Sequence, residues 1–311
     1  MENQALGLAE AVQRLFSSRI TIKRLRWRRA LDKLPSALKT PWMLDPSSDA
    51  VEPAAGEAWP DLWIATGRAT LPLSARVRER SGGKTFVVQT QDPRWRNDVY
   101  GLVVAPAHDG IVGANVLSIT GSPHRATAER LAEGAAAFAD RLEPLPRPRV
   151  AALIGGRSRA FDLTGAHAVA LADRIGVAVE AAGGSLMLTF SRRTPEAAKA
   201  AMTARLAHLP GLIWDSEGPN PYFAFLRFAD HILVTEDSAN MAAEAASTGV
   251  PVHILPMIAL KPASKFARLH ADLRERGAAR PFDGSLDAWI YPALAETDRA
   301  ARVILDRRTK G

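Results

Sequence analysis

Between Ala229 and Pro256 the chain reads ADHILVTEDSANMAAEAASTGVPVHILP, two short apolar runs separated by a polar turn and an Ala-rich stretch. His231 to Thr235 shows no apolar/polar alternation, so it fits a parallel strand covered on both faces. The second run, Val252 to Leu255, has the same character. Parallel neighbours need a crossover, and the residues between them supply one: Asp237 or Ser238 caps a helix that Gly249 and Pro251 end. If the helix begins at that turn, Asp237, Asn240 and Glu244 fall at i, i+3 and i+7 and share one face. Their neighbour is then a helix N-terminus, whose free N–H groups and dipole suit an anion such as a phosphate. Plain capping by Asp237 and Ser238, with Glu244 a solvated helix residue, accounts for the same letters, and the segment alone leaves both open.

The same period recurs along most of the chain. Leu8, Val12, Leu15 and Phe16 form the stripe of a first helix, and Ile20 to Trp27 reads as a strand. A Pro-rich loop from about Pro46 to Pro60 precedes strand-helix units: strands at Leu62 to Thr66, Thr85 to Gln89, Gly101 to Ala105 and Val116 to Thr120, helices at Pro72 to Arg80 and Ala126 to Arg141. Three prolines in Pro144-Leu-Pro-Arg-Pro148 mark an interdomain linker. Beyond it come strands at Val150 to Ile154, Leu186 to Phe190, Leu212 to Trp214, His231 to Val234 and Val252 to Leu255, and Ser285 to Arg308 reads as helical. Alternation of this kind argues for an α/β protein of two Rossmann-like, doubly wound domains that bind ligands at strand carboxyl ends. The expected boundaries are 1–145, 149–290 and a closing helix at 291–311.

With 47% hydrophobic and 23% charged residues among 311, the composition is globular. The absence of cysteine excludes disulfides, thiolate metal sites and a cysteine nucleophile. The 7 histidines are scattered without metal-ligand spacing, so no metal is expected. No basic flank leads into an apolar leader, and no run approaches about 18 apolar residues, so the expected location is cytoplasmic. The net charge of +7 is concentrated: Arg19, Lys23, Arg24, Arg26, Arg28 and Arg29 interleave with Ile20, Ile22, Leu25 and Trp27. That pattern fits anionic lipid headgroups, hence a peripheral place on the inner membrane, and equally a solvated strand edge. No nucleic-acid motif accompanies the charge, so no nucleic-acid partner is expected.

Four further groups carry candidate chemistry. Gly155-Gly156-Arg157 follows a strand and precedes a helix, so its backbone can approach a phosphate while Arg157 supplies charge; a plain tight turn is the alternative. Ser191-Arg192-Arg193-Thr194-Pro195 ends the next strand, with Ser191 and Arg192 as phosphate contacts and Arg193 as a surface residue. Asn220, in Gly218-Pro-Asn-Pro-Tyr222, lies on a loop suited to a base or ribose, with Tyr222 beside it. In the first domain His108, followed by Asp109, closes a strand, and an imidazole titrates near working pH as a general base should. Arg68, Gln89, Asp92 and Asn115 are weaker acceptor-side candidates.

The strand-turn-helix-strand unit resembles the donor half of GT-B glycosyltransferases. More closely, VTEDSANMAAEA with TGVPV is similar to the mitochondrial-fission "elongated mitochondria" family and its bacterial relatives, as are residues 2–10 (ENQALGLAE), Pro106 to Asp109, Leu153 to Gly156, Ser191 to Pro195, Asn220 to Tyr222 and Ser264 to Arg268. The resemblance implies two domains facing across a cleft, with a C-terminal helix crossing back. It places the donor diphosphate at the Asp237-Ser238-Ala239 turn and Gly155-Gly156, the ribose at Glu244, and the base at His108. Related sequences carry a strand and a Gly-rich turn before the first helix, so that strand is expected to be missing here. The implied activity is metal- and cofactor-independent sugar transfer from a nucleotide-sugar to a lipid-linked or other envelope acceptor. A non-catalytic adaptor that recruits partners to a membrane, and a sugar-nucleotide epimerase, are the alternatives.

Overall fold

The computed structural model describes residues 2–94 and 96–310. The chain divides into two compact units, Met1–Arg125 with Ala295–Gly311, and Ala126–Leu294.

The first unit opens with helix α1 (Glu2–Leu15) and builds a parallel sheet from β1 (Leu62–Thr66), β2 (Phe86–Thr90), β3 (Leu102–Pro106) and β4 (Val116–Ile119), in spatial order 1-2-3-4, with α2 (Leu71–Arg80) crossing from β1 to β2. Both faces are covered, as all-parallel strands require. Val88, Leu102, Val104 and Ile119 pack beneath Leu8, Ala11 and Val12 of α1, while Val87, Val103 and Ala105 face Leu73 and Val77 of α2 and the buried Trp27.

In the second unit α3 (Ala128–Leu142) precedes β5 (Arg149–Ile154), β6 (Phe161–Asp162), α4 (Gly165–Ala181), β7 (Ser185–Phe190), α5 (Glu196–Leu206), β8 (Gly211–Ile213), α6 (Tyr222–Phe228), β9 (His231–Thr235), α7 (Ala239–Ala246), β10 (Val252–Leu255), β11 (Ile258–Ala259), α8 (Ser264–Glu275) and β12 (Ala279–Pro281). Six strands form one parallel sheet ordered β12-β10-β9-β5-β7-β8, and β6 and β11 make a small antiparallel pair. The chain winds outward from β5 through β7 to β8, then returns to β9 and winds the other way. Such an order is doubly wound and puts its switch point between β5 and β9. Val150, Ala152, Leu186 and Leu188 meet α4 and α5 on one face; Ala151, Leu153, Ile232 and Val234 meet the helices of the other. The last helix, α9 (Glu296–Lys310), returns to the first unit, where Ala300, Ala301 and Ile304 join the α1 core.

Three expectations change. The division falls at Arg125, not at the prolines of 144–148, because α3 packs on α6 closely enough that a Cβ on Gly134 would lie 2.8 Å from that of Phe223. Residues 20–27 form no strand: their one ladder contact is the isolated Trp27–Leu44 bridge. The helix expected from Ser285 begins only at Glu296, since Asp283 turns the chain by accepting the Ser285 N–H at 2.9 Å and Pro292 breaks the residues between that turn and α9.

Candidate functional site at the switch point of the second sheet

The carboxyl ends of β5, β7 and β9 are tied together by one set of polar contacts. Gly155 donates its N–H to Thr235 Oγ1 at 2.7 Å, and Gly156 donates to Asp237 Oδ2 at 3.0 Å. Arg193, from the loop after β7, reaches the same Oδ2 at 2.8 Å, and the Asp237 side chain is wholly buried. These glycines are required by close approach: a Cβ at Gly155 would sit 2.0 Å from Asp237 Oδ1, and one at Gly156 would sit 2.2 Å from the Arg193 carbonyl. The carbonyl of Arg193 also accepts the Arg157 N–H at 3.1 Å.

This geometry reassigns several sequence candidates. Ser238, not Asp237, caps α7, its hydroxyl accepting the Met241 N–H. Asp237 therefore lies outside the helix, turned back to Gly156, and the i, i+3, i+7 stripe reduces to Asn240 and Glu244 one turn apart. Both arginines are exposed, as expected of Arg193, but it is Arg193 rather than Arg192 that reaches the buried carboxylate. Ser191 accepts the Arg193 N–H at 3.1 Å and so shapes that loop. Arg157 is largely exposed, 3.8 Å from Asp162. The N–H groups of Gly155 and Gly156, expected to face a phosphate, are spent on Thr235 and Asp237. Thr235 and Thr194, whose hydroxyl donates to the Gly155 carbonyl, belong to the site although the sequence assigns them no role, and Arg193 belongs to it although the sequence reads it as surface; a threonine closing an apolar strand carries no signal beyond β propensity.

Glu244 sits in the last turn of α7 and accepts a 2.5 Å hydrogen bond from the Tyr222 hydroxyl. Burial raises its pKa to about 7, the Tyr222 hydrogen bond acting in the opposite direction. Burial, then the Glu244 charge, pushes the Tyr222 phenol well above its ordinary value. Asn220 is an N-terminal turn residue, accepting the Tyr222 N–H at 2.9 Å. Asn240 is exposed in the first turn of α7, on the carboxyl side of the sheet. In the first unit, His108 and Asp109 form a short 3-10 turn directly after β3, closed by Gly110 at φ 71°. Asn115 sits at the opposite, amino end of β4, where it donates to the carbonyls of Asn97 and Tyr100 at 2.7 and 2.9 Å.

The sequence pattern of a family described as Mitochondrial fission ELM1 matches residues 1–308. The chain belongs to this family. Mitochondrial fission protein ELM1 of Arabidopsis thaliana is 31% identical over 269 residues, 78% of this chain and 62% of the plant protein, so the match spans less than two thirds of that relative. An uncharacterized Rickettsia prowazekii protein is 24% identical over 317 residues, 88% of this chain and 87% of its own. Among solved structures, UDP-GlcNAc 2-epimerase from Methanocaldococcus jannaschii resembles the fold with a TM-score of 0.46 and 15% identity over 79% of this chain and 69% of that one.

Proposed function

We propose that the second unit binds a nucleotide-sugar at the carboxyl end of its sheet and that the protein transfers the sugar to a lipid-linked or other cell-envelope acceptor, without metal or cofactor. The observation that carries this reading is the switch point itself, where the ends of β5, β7 and β9 converge beside the N-terminus of α7. Open doubly wound sheets bind ligands at that place. The first turn of α7, with Ser238 and Asn240, and the exposed Arg157 and Arg192 supply positive potential for a diphosphate. Glu244, once released by Tyr222, accepts hydrogen bonds from ribose hydroxyls. His108, oriented by its turn with Asp109, takes the proton of an acceptor hydroxyl as its oxygen bonds to the anomeric carbon; the nucleoside diphosphate leaves with the electron pair of the broken C–O bond.

The adaptor reading has one observation in its favour: the Gly155 and Gly156 donors and the Glu244 carboxylate already have protein partners. Thermal unfolding with nucleoside diphosphates and their sugars separates the two. A donor-binding protein gains about 2.7 kcal/mol at roughly 100 times the dissociation constant. An adaptor gains nothing from any of them.

A further inference from the structure

The segment between α1 and β1 is basic and also exposes large apolar side chains. From Arg19 to Lys39 there are eight Lys or Arg against one acidic residue, Asp32. Residues 24–28 run extended beside 43–49: Asp45 donates its N–H to the Arg26 carbonyl at 2.8 Å, Arg26 to Ser48 Oγ at 2.9 Å and Arg28 to the Met43 carbonyl at 3.2 Å. Alternation along this ribbon sends Leu25 and Trp27 into the core and Arg24, Arg26 and Arg28 to solvent. Trp27 anchors it by donating Nε1–H to the Ala69 carbonyl at 2.9 Å. Acidic groups on and beside the ribbon, Glu2 of α1, Asp32, Asp45 and Asp49, offset part of the charge. Arg24 pairs with Glu2 at 2.9 Å, Lys39 with Asp32 at 3.6 Å, and Arg26 and Arg28 stand near Asp45, whose carboxyl is held low first by its Ser47 hydrogen bonds and then by these arginines. Arg19, Arg29 and Lys33 remain exposed with no carboxylate against them among the described residues.

On the short turns next to the ribbon, Trp42 and Leu38 are 66% and 60% exposed, and Ile22 is 46% exposed. Indole and aliphatic groups standing out of a cationic surface are costly in water and matched to a bilayer, where tryptophan takes the headgroup level and leucine the acyl boundary. A nucleic acid would use the charge and the indole but not the aliphatic groups.

We infer that this face of the first unit docks on an anionic lipid surface, with Arg19, Arg26, Arg28 and Arg29 on headgroups and Trp42 and Leu38 inserted. The test is co-sedimentation of the full chain with phosphatidylcholine vesicles, with and without about 30% phosphatidylglycerol. Expected is binding only to the anionic vesicles, weakened by salt because exposed charges are screened beyond about 10 Å at 0.1 M. R26Q/R29Q should lower the partition coefficient about thirty-fold, near tenfold for each 1.4 kcal/mol at roughly 1 kcal/mol per basic residue. L38A/W42A should lower it about tenfold or more with the melting temperature little changed, since both side chains are largely in water. Absence of binding to anionic vesicles overturns the inference. So does full retention of binding by L38A/W42A, or a higher affinity for single-stranded RNA than for vesicles that both variants leave unaltered.

Discussion

Glu244 is the residue whose chemistry is most constrained by its surroundings. Burial raises its pKa from 4.5 to about 7, so the folded state holds its proton more tightly than the unfolded chain does. Stability from this group is therefore fullest below the unfolded value and declines as pH rises from 4.5 through about 7. Glu244→Gln keeps the shape and the acceptor for Tyr222 but cannot ionise. Denaturant unfolding between those limits should show the parent losing stability relative to E244Q as pH rises; parallel curves would mean that the carboxyl is not buried as described. If a ribose binds the ionised form, nucleotide affinity should improve over the same interval, the opposite trend to stability. The two trends together distinguish a ligand-binding carboxylate from a merely buried one.

The β5 turn, α7 and the loop after β7 are one unit because of Gly155, Gly156, Asp237 and Arg193. Gly155→Ala should cost about 1–3 kcal/mol through overpacking against Asp237. Adding Asp237→Ala should recover part of that loss, because residues in contact do not behave additively. If the double variant is as unstable as the sum of the singles, the contact between these positions is not the reason for glycine.

The strands that form this site are readable as uninterrupted apolar runs, and β10 at Val252 to Leu255 and β9 at His231 to Thr235 fall where the pattern puts them. The pattern leaves one residue of phase open: whether Asp237 or Ser238 caps α7. That single position decides whether Asp237 faces a ligand or the buried Gly156 N–H. Adjacent arginines pose the same difficulty, since neither Arg192 nor Arg193 carries a local signal for which one meets a carboxylate 44 positions later, at Asp237. The 20–27 segment misleads for another reason. Its period of two is real, but where Arg24 and Arg26 would pair by backbone their N–H groups go to the side chains of Asp49 and Ser48, so a strand-like alternation exists with only the isolated Trp27–Leu44 bridge.

For the whole molecule, the proposed transferase assigns different tasks to its two units, and the assignment is separable by mutation. His108→Ala, in the first, should leave nucleotide affinity nearly intact and lower transfer by roughly two to four orders of magnitude, the usual worth of a general base. Glu244→Gln, in the second, should act on binding. The most direct measurement is calorimetric titration of UDP and other nucleoside diphosphates into the parent protein and into E244Q, above pH 7 where the carboxylate is ionised. A donor site at Glu244 predicts saturable binding by the parent that weakens by roughly 1.5–3 kcal/mol in E244Q, the value of a hydrogen bond to a charged group, with the fold unchanged. Equal binding by both proteins, or no binding by the parent to any of the nucleotides, would contradict it.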